Sequence, residues 1–288
     1  MPDPAKILPI LRRAAVLCRA TPGRKGAVVH LDDDAEEVMV VGDLHGNLTT
    51  FKQVLALADL ARRPKRHLVL QELVHGPFYY PDEGGDRSHQ LVDVVAALKC
   101  QHPDRVHLIL GNHELSELTG RSIGKNGVYL NALFQQGIET AYGARAGAVR
   151  AAYLELFAAL PLAVRTPNRV FICHTIPNGA DLDRFDPEVL AGRAWTDEDR
   201  ARGGTVYAIT WGRDTAPETS DRFAGIVDAD LFVNGHQPCD EGYRRANERQ
   251  LIVDGTDPCP ACVVFPARGP ITMEGLLQGV KLVPLPSL

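Results

Sequence analysis

"EVMVVGDLHG", residues 37–46, is the stretch on which the fold turns. Four apolar residues, Val38 to Val41, run straight into Gly42-Asp43. A short apolar run closed by glycine predicts a buried strand that delivers polar side chains where it ends. The same grammar returns in "RHLVLQE" (66–72), "DRVHLILGNHE" (104–114), "RVFICHT" (169–175) and "DLFVNGHQP" (230–238). Helical patterns over 48–60 and 88–100 separate the first three of these runs. Strands alternating with helices argue an α/β arrangement whose strand C-termini share one edge.

Further along, residues 115–160 read as a helical section. "PLAVRTPNRVFICHT" (161–175) then predicts two strands joined by a turn at Pro167-Asn168, and "RRANERQLIVDG" (244–255) predicts a hairpin. "TVYAITWGR" (205–213) and "ACVVFP" (261–266) are read in the same strand-rich manner. No repeat or long linker divides the chain, so 1–288 is read as a single domain.

With 288 residues, 45% of them hydrophobic and 23% charged, the chain can bury a large core. A net charge of −5 gives no support for a nucleic-acid-binding face. No apolar run reaches the length of a membrane span. The apolar positions of "ILPILRRAAVLCRA" (7–20) fit one side of an amphipathic helix, about residues 6–20, docked on the domain. Arg12 and Arg13 interrupt that run, which argues against a secretory signal. Six cysteines in a chain of this length do not make a disulfide framework. Cys259 and Cys262 form a Cys-x-x-Cys step, but the second pair of a zinc ribbon is missing. A reducing cytoplasm is the expected setting, with no membrane and no nucleic-acid partner.

At the predicted strand ends stand Asp43 and His45, Glu72, Asn112 and His113, His174, and His236. Carboxylate, imidazole and amide oxygen together suit borderline divalent metals such as Mn, Fe or Zn. A set of this size exceeds the needs of one tetrahedral ion and suits two ions sharing a carboxylate.

In order, "GDLHG" (42–46), "GNHE" (111–114), "ICH" (172–174) and "NGHQP" (234–238) resemble the motifs of the calcineurin-like metallophosphoesterases, in particular the phosphoprotein-phosphatase-type branch. The resemblance covers about residues 38–265. It implies a four-layer α-β-β-α sandwich of two mixed sheets flanked by helices. It also implies that Asp43, His45 and His236 hold one metal and Asn112 and His174 the other. His113 becomes the catalytic histidine. Arg213, in "AITWGRD", and Tyr243 match residues that contact phosphate and substrate in such proteins.

The second motif departs from the pattern. The family reads Gly-Asp-x-x-Asp-Arg-Gly, its first Asp bridging the metals, its second orienting the catalytic histidine and its Arg binding phosphate. Here "QELVHGP" (71–77) puts Glu72 in the bridging place, and Asp86-Arg87 follows only after an insertion of about residues 74–85. The favoured reading is a split motif: Glu72 bridges, while Asp86 orients His113 and Arg87 binds phosphate. The rival reading makes Gly85-Asp86 the Gly-Asp step and Asp86 the bridge. Phe78, Tyr79 and Tyr80 make the insertion either a self-packed surface loop or a wall selecting substrate.

The implied chemistry is hydrolysis of a phosphate monoester, phosphoserine or phosphothreonine among them. A hydroxide held between two metals would attack in line, with His113 as general acid. Hydrolysis of dinucleoside polyphosphates or other small esters is the alternative enzymatic reading. A phosphoesterase scaffold turned binding protein by its altered motif is the alternative from another class.

Overall fold

The computed structural model describes residues 3–284 except Glu83 and Asn126. Two sheets carry the chain. One has five strands: Val280–Leu282, Ala261–Pro266, Glu37–Val41, Arg66–Leu70 and Val106–Leu108, in that spatial order. Its last three strands run parallel, and Ala261–Pro266 lies antiparallel to Glu37–Val41. The other has seven: Arg24–Lys25, Val28–His30, Ala163–Arg165, Val170–Cys173, Leu231–Asn234, Gln250–Val253 and Tyr243–Arg245. Val170–Cys173, Leu231–Asn234 and Gln250–Val253 form its parallel centre. Both sheets are mixed.

Strand alternation sorts the side chains into layers. Val38, Val40, Val69 and Val263 from the five-stranded sheet share one buried cluster with Val164, Ile172, Val233 and Leu251 from the seven-stranded sheet. That cluster is the seam between the sheets. The intervening residues Met39, Val41, Leu68, Leu70, Phe171 and Phe232 belong to a second cluster with the helices. Phe223, on helix Pro217–Val227, stacks on Phe232 and meets Phe171 edge-on, covering the seven-stranded sheet. Two sheets back to back with helices outside is the arrangement that the resemblance implied.

The N-terminal helix, Pro4–Arg19, is capped by the Asp3 carboxylate and buries Leu11, Ala14, Ala15 and Cys18. It packs on helices His89–Gln101 and Ala146–Phe157. The expected hairpin at 244–255 and the pair of strands around Pro167-Asn168 are both present. Two local expectations fail. "TVYAITW" is a helix, Thr205–Trp211, with Val206, Ala208, Ile209 and Thr210 buried. Its β-branched residues suggested a strand, and tertiary burial overrode that preference. The middle section is also interrupted, by the small hairpin Gly124–Lys125 and Val128–Tyr129 between helices Asn112–Thr119 and Leu130–Tyr142.

Candidate metal centre and active site

Five parallel strands, three from one sheet and two from the other, end at the same place. Glu37–Val41 delivers Asp43 and His45, Arg66–Leu70 delivers Glu72, and Val106–Leu108 leads to Asn112 and His113 at the start of a helix. From the opposite sheet, Val170–Cys173 delivers His174 and Leu231–Asn234 delivers His236. Open α/β sheets place their ligands at such C-terminal edges. Here two edges face one another.

The tautomers can be read from the neighbours. The Gln71 amide donates to the Val41 carbonyl at 3.0 Å, which turns its oxygen toward His174 Nδ1, 2.9 Å away. His174 therefore carries its proton on Nδ1, and its Nε2 is bare. That bare nitrogen lies 2.7 Å from Glu72 Oε2, 3.0 Å from Asn112 Oδ1 and 3.1 Å from His236 Nδ1. His45 is fixed the same way: Nδ1 donates to the Val74 carbonyl at 2.9 Å, leaving Nε2 as a ligand atom. Such outer hydrogen bonds are what hold metal-ligating imidazoles in one orientation.

Lone pairs thus meet lone pairs. Glu72 Oε2 is buried with no hydrogen-bond partner among the described residues. Burial, reinforced by the charge of Asp43, pushes the Glu72 carboxyl up to about 8. Burial lowers the His174 imidazole and holds that of His236 well down. An unpaired buried donor set of this kind is costly unless cations fill it. Two overlapping ligand groups are formed, Asp43-Glu72-His174 and His45-Glu72-His113, and Glu72 belongs to both. The donor set fits two divalent cations of the Mn, Fe or Zn type.

Several predicted residues sit differently from expectation. His236, grouped in the sequence with Asp43 and His45, turns its Nδ1 toward His174, while its backbone N–H donates to both Asp43 carboxylate oxygens at 3.0 Å. Its ring lies with the Asn112–His174 set. Asp86 does not touch the His113 ring. Its carboxylate accepts from the Ser88 N–H at 2.7 Å, the Ser88 hydroxyl at 2.8 Å and the Gly76 N–H at 3.2 Å. Those bonds pinch the two ends of the insertion together without bringing the Asp86 carboxylate to the His113 ring. Arg87 stacks over the Tyr80 ring at 5.6 Å, inside the insertion, rather than lining the site. Tyr243 packs against the seam between the sheets. Arg213, by contrast, lines a cavity of about 170 Å³ together with Asp43, His45, Asn112, His113 and His236. Its guanidinium donates to the His236 carbonyl at 3.4 Å. Asp214 leaves it free to do so, bonding instead to Gly179, Ala216 and Thr219.

Three residues escaped the sequence reading. Gln71 fixes His174. His75 faces His113, Nδ1 to Nδ1, at 3.0 Å, and Glu117 accepts from His75 Nε2 at 3.0 Å. His75 stands three residues after Glu72, where the motif has its second aspartate, so a count along the frame was the available signal. Glu117 carried none. Glu114 also supports the site: its Oε1 accepts the Leu73 and Val74 N–H groups, 2.7 and 3.3 Å away, fixing the backbone that follows Glu72.

A second cavity, about 910 Å³, opens beside the first. The insertion (Pro77, Phe78, Tyr79, Gly84, Gly85) and Ile123, Val128, Leu130 and Leu133 form its apolar wall, while His45, His75 and His113 stand at its inner end.

Comparison with known proteins agrees with this geometry. The calcineurin-like phosphoesterase family matches residues 37–240. A probable serine/threonine-protein phosphatase of Encephalitozoon cuniculi is 27% identical over 75% of the chain and 46% of its own length. Serine/threonine-protein phosphatase 5 of Solanum lycopersicum is 25% identical over 84% of the chain and 42% of its own length. The chain thus spans under half the length of these curated relatives. Among solved structures, a serine/threonine phosphatase of Saccharomyces cerevisiae aligns with a TM-score of 0.69 at 18% identity, covering 98% of the chain and 89% of that protein. The chain belongs to the calcineurin-like phosphoesterase family.

Proposed function

We propose that the protein is a two-metal phosphatase acting on phosphate monoesters, with phosphoserine and phosphothreonine side chains as the substrate class. The carrying observation is the convergence of six donors from two sheets, their bare nitrogens and oxygens facing one another around Glu72. The relatives named serine/threonine phosphatases support the choice of substrate. The cytoplasmic setting belongs to the same proposal.

When bound, the two cations supply Lewis-acid activation of water and neutralise phosphoryl charge. Asp43, His45 and Glu72 would hold one cation, and Glu72, Asn112, His174 and His236 the other. Arg213 offers a planar guanidinium for the phosphoryl oxygens at the mouth of the small cavity. His113 stands at the same mouth and gives the leaving alkoxide its proton. Burial lowers the proton affinity of that imidazole, which favours release of the proton once it is carried.

The test is metal content and hydrolysis under Mn, Fe and Zn, using p-nitrophenyl phosphate, a phosphoserine peptide and diadenosine tetraphosphate. Two ions per chain with metal-dependent turnover of the first two substrates is the expected result. Turnover of diadenosine tetraphosphate alone would move the assignment to dinucleotide hydrolysis. A metal-loaded protein inert toward all three would make it a binding scaffold.

A further inference from the structure

Taking His113 as the proton donor, we infer that His75 and Glu117 form the relay that orients it, in place of an aspartate. His113 and Glu117 lie one turn apart on helix Asn112–Thr119 and so share a face. The His75 ring inserts between them, its side chain fully buried, with centroid distances of 5.0 Å to His113 and 5.7 Å to Phe134. A carboxylate only accepts hydrogen bonds, so Glu117 fixes the His75 proton on Nε2. His75 Nδ1 is then an acceptor, and the His113 Nδ1–H must be the donor across the 3.0 Å contact. That leaves His113 Nε2, which makes no hydrogen bond among the described residues, to face substrate.

Everything around the relay holds it still. Asn131 donates to Glu117 Oε1 at 2.7 Å, and Arg150 Nη2 lies 3.6 Å from Glu117 Oε2, so the buried carboxylate is compensated. The His75 backbone sits at a φ of 63°, a conformation uncommon outside glycine. The Ser88 hydroxyl accepts its N–H at 3.1 Å, and Asp86 in turn accepts the Ser88 hydroxyl proton. Asp86 therefore bonds to the histidine pair through the backbone and makes no hydrogen bond to either ring among the described residues. Glu117 acts on it through the ring. His75 and Glu117 are positioning residues in this scheme, and of the three only His113 touches the substrate.

Orientation of a general acid matters most when the leaving group is a poor one, which supplies a readout that general damage would not reproduce. Glu117→Leu is expected to lower kcat for phenyl phosphate about 10²-fold more than kcat for 2,4-dinitrophenyl phosphate. Glu117→Gln, which keeps an acceptor oxygen, is expected to recover most of that difference. Equal losses on both esters would overturn the relay. His113→Ala sets the benchmark: if it shows the leaving-group bias and Glu117→Leu does not, the relay alone is wrong. If His113→Ala shows no bias, the acid assignment falls and the relay with it. Nitrogen-15 histidine spectra of the unsubstituted zinc-loaded protein give a measure free of folding risk. The Nδ1–H tautomer at His113 is expected there, and the Nε2–H tautomer would overturn the proposal.

Discussion

Glu72 occupies its place at a φ of 50°, and His45, His75 and His236 take positive φ as well. Such conformations cost roughly 1–3 kcal/mol each and persist only where the surroundings enforce them. The Glu72 carboxylate also depends on the room that glycine leaves at 111. A Cβ at Gly111 would lie 2.3 Å from Glu72 Oε2 and 2.9 Å from Glu114 Oε2, so Gly111→Ala is expected to push the Glu72 carboxylate aside. Plasma emission analysis of that variant should find fewer than two ions per chain in a protein that still folds. Glu72→Ala should behave alike, whereas Asp86→Ala should keep both ions; two ions in Glu72→Ala would shift the bridge to Asp86. Gln71→Ala removes the acceptor for His174 Nδ1–H and should weaken metal binding about 10–100-fold in a chelator competition. These residues also mark how far the sequence could be read. Asp43, His45, Asn112, His174 and His236 were legible because each ends an apolar run. The partner of His113 was not, since the imidazole found at 75 is not the carboxylate that the motif leads one to seek. Glu117 acquires its role only when a neighbouring strand end folds over its helix.

Among the elements, the insertion shows why chain order and spatial order part. Ser88 and Asp86 tie its far end to His75 and Gly76, and its backbone also reaches helix Leu130–Tyr142, where the Asp86 N–H donates to the Leu133 carbonyl at 2.8 Å. That helix must carry glycine at 137, because a Cβ there would stand 1.8 Å from the Asp86 carbonyl oxygen. Gly137→Ala is therefore expected to cost about 1–3 kcal/mol by overpacking, seen as a lowered melting temperature. The helices and central strands were legible because their burial follows one period over several residues. Thr205–Trp211 was not, because a seven-residue helix rich in Val, Ile and Thr offers too few turns for the period to outweigh composition.

On the scale of the whole molecule, the donors belong to opposite sheets, so binding cations fastens one sheet to the other. Saturating manganese should raise the melting temperature, by about 2.7 kcal/mol in stability at a hundredfold excess over the dissociation constant, and a chelator should reverse it. The far end of the seam behaves oppositely. His67 and His107, on adjacent parallel strands, are stacked with Nδ1 and Nε2 2.9 Å apart. Burial pulls the His67 imidazole down to about 4 and holds His107 well below its ordinary value. Both are neutral in the fold and would take up protons near 6.5 when unfolded, so their contribution is whole above pH 6.5 and is lost as pH falls toward 4. His67→Gln should shrink the acid loss of stability across that window relative to the parent chain. The larger cavity has a consequence of its own. Its apolar wall is made by an inserted loop and a small hairpin, whereas the metal donors stand at strand ends. If the proposed phosphatase activity holds, exchanging that wall is expected to change the ratio of kcat/KM between two esters while metal content stays at two ions per chain; an unchanged ratio would make the loop a mere cover.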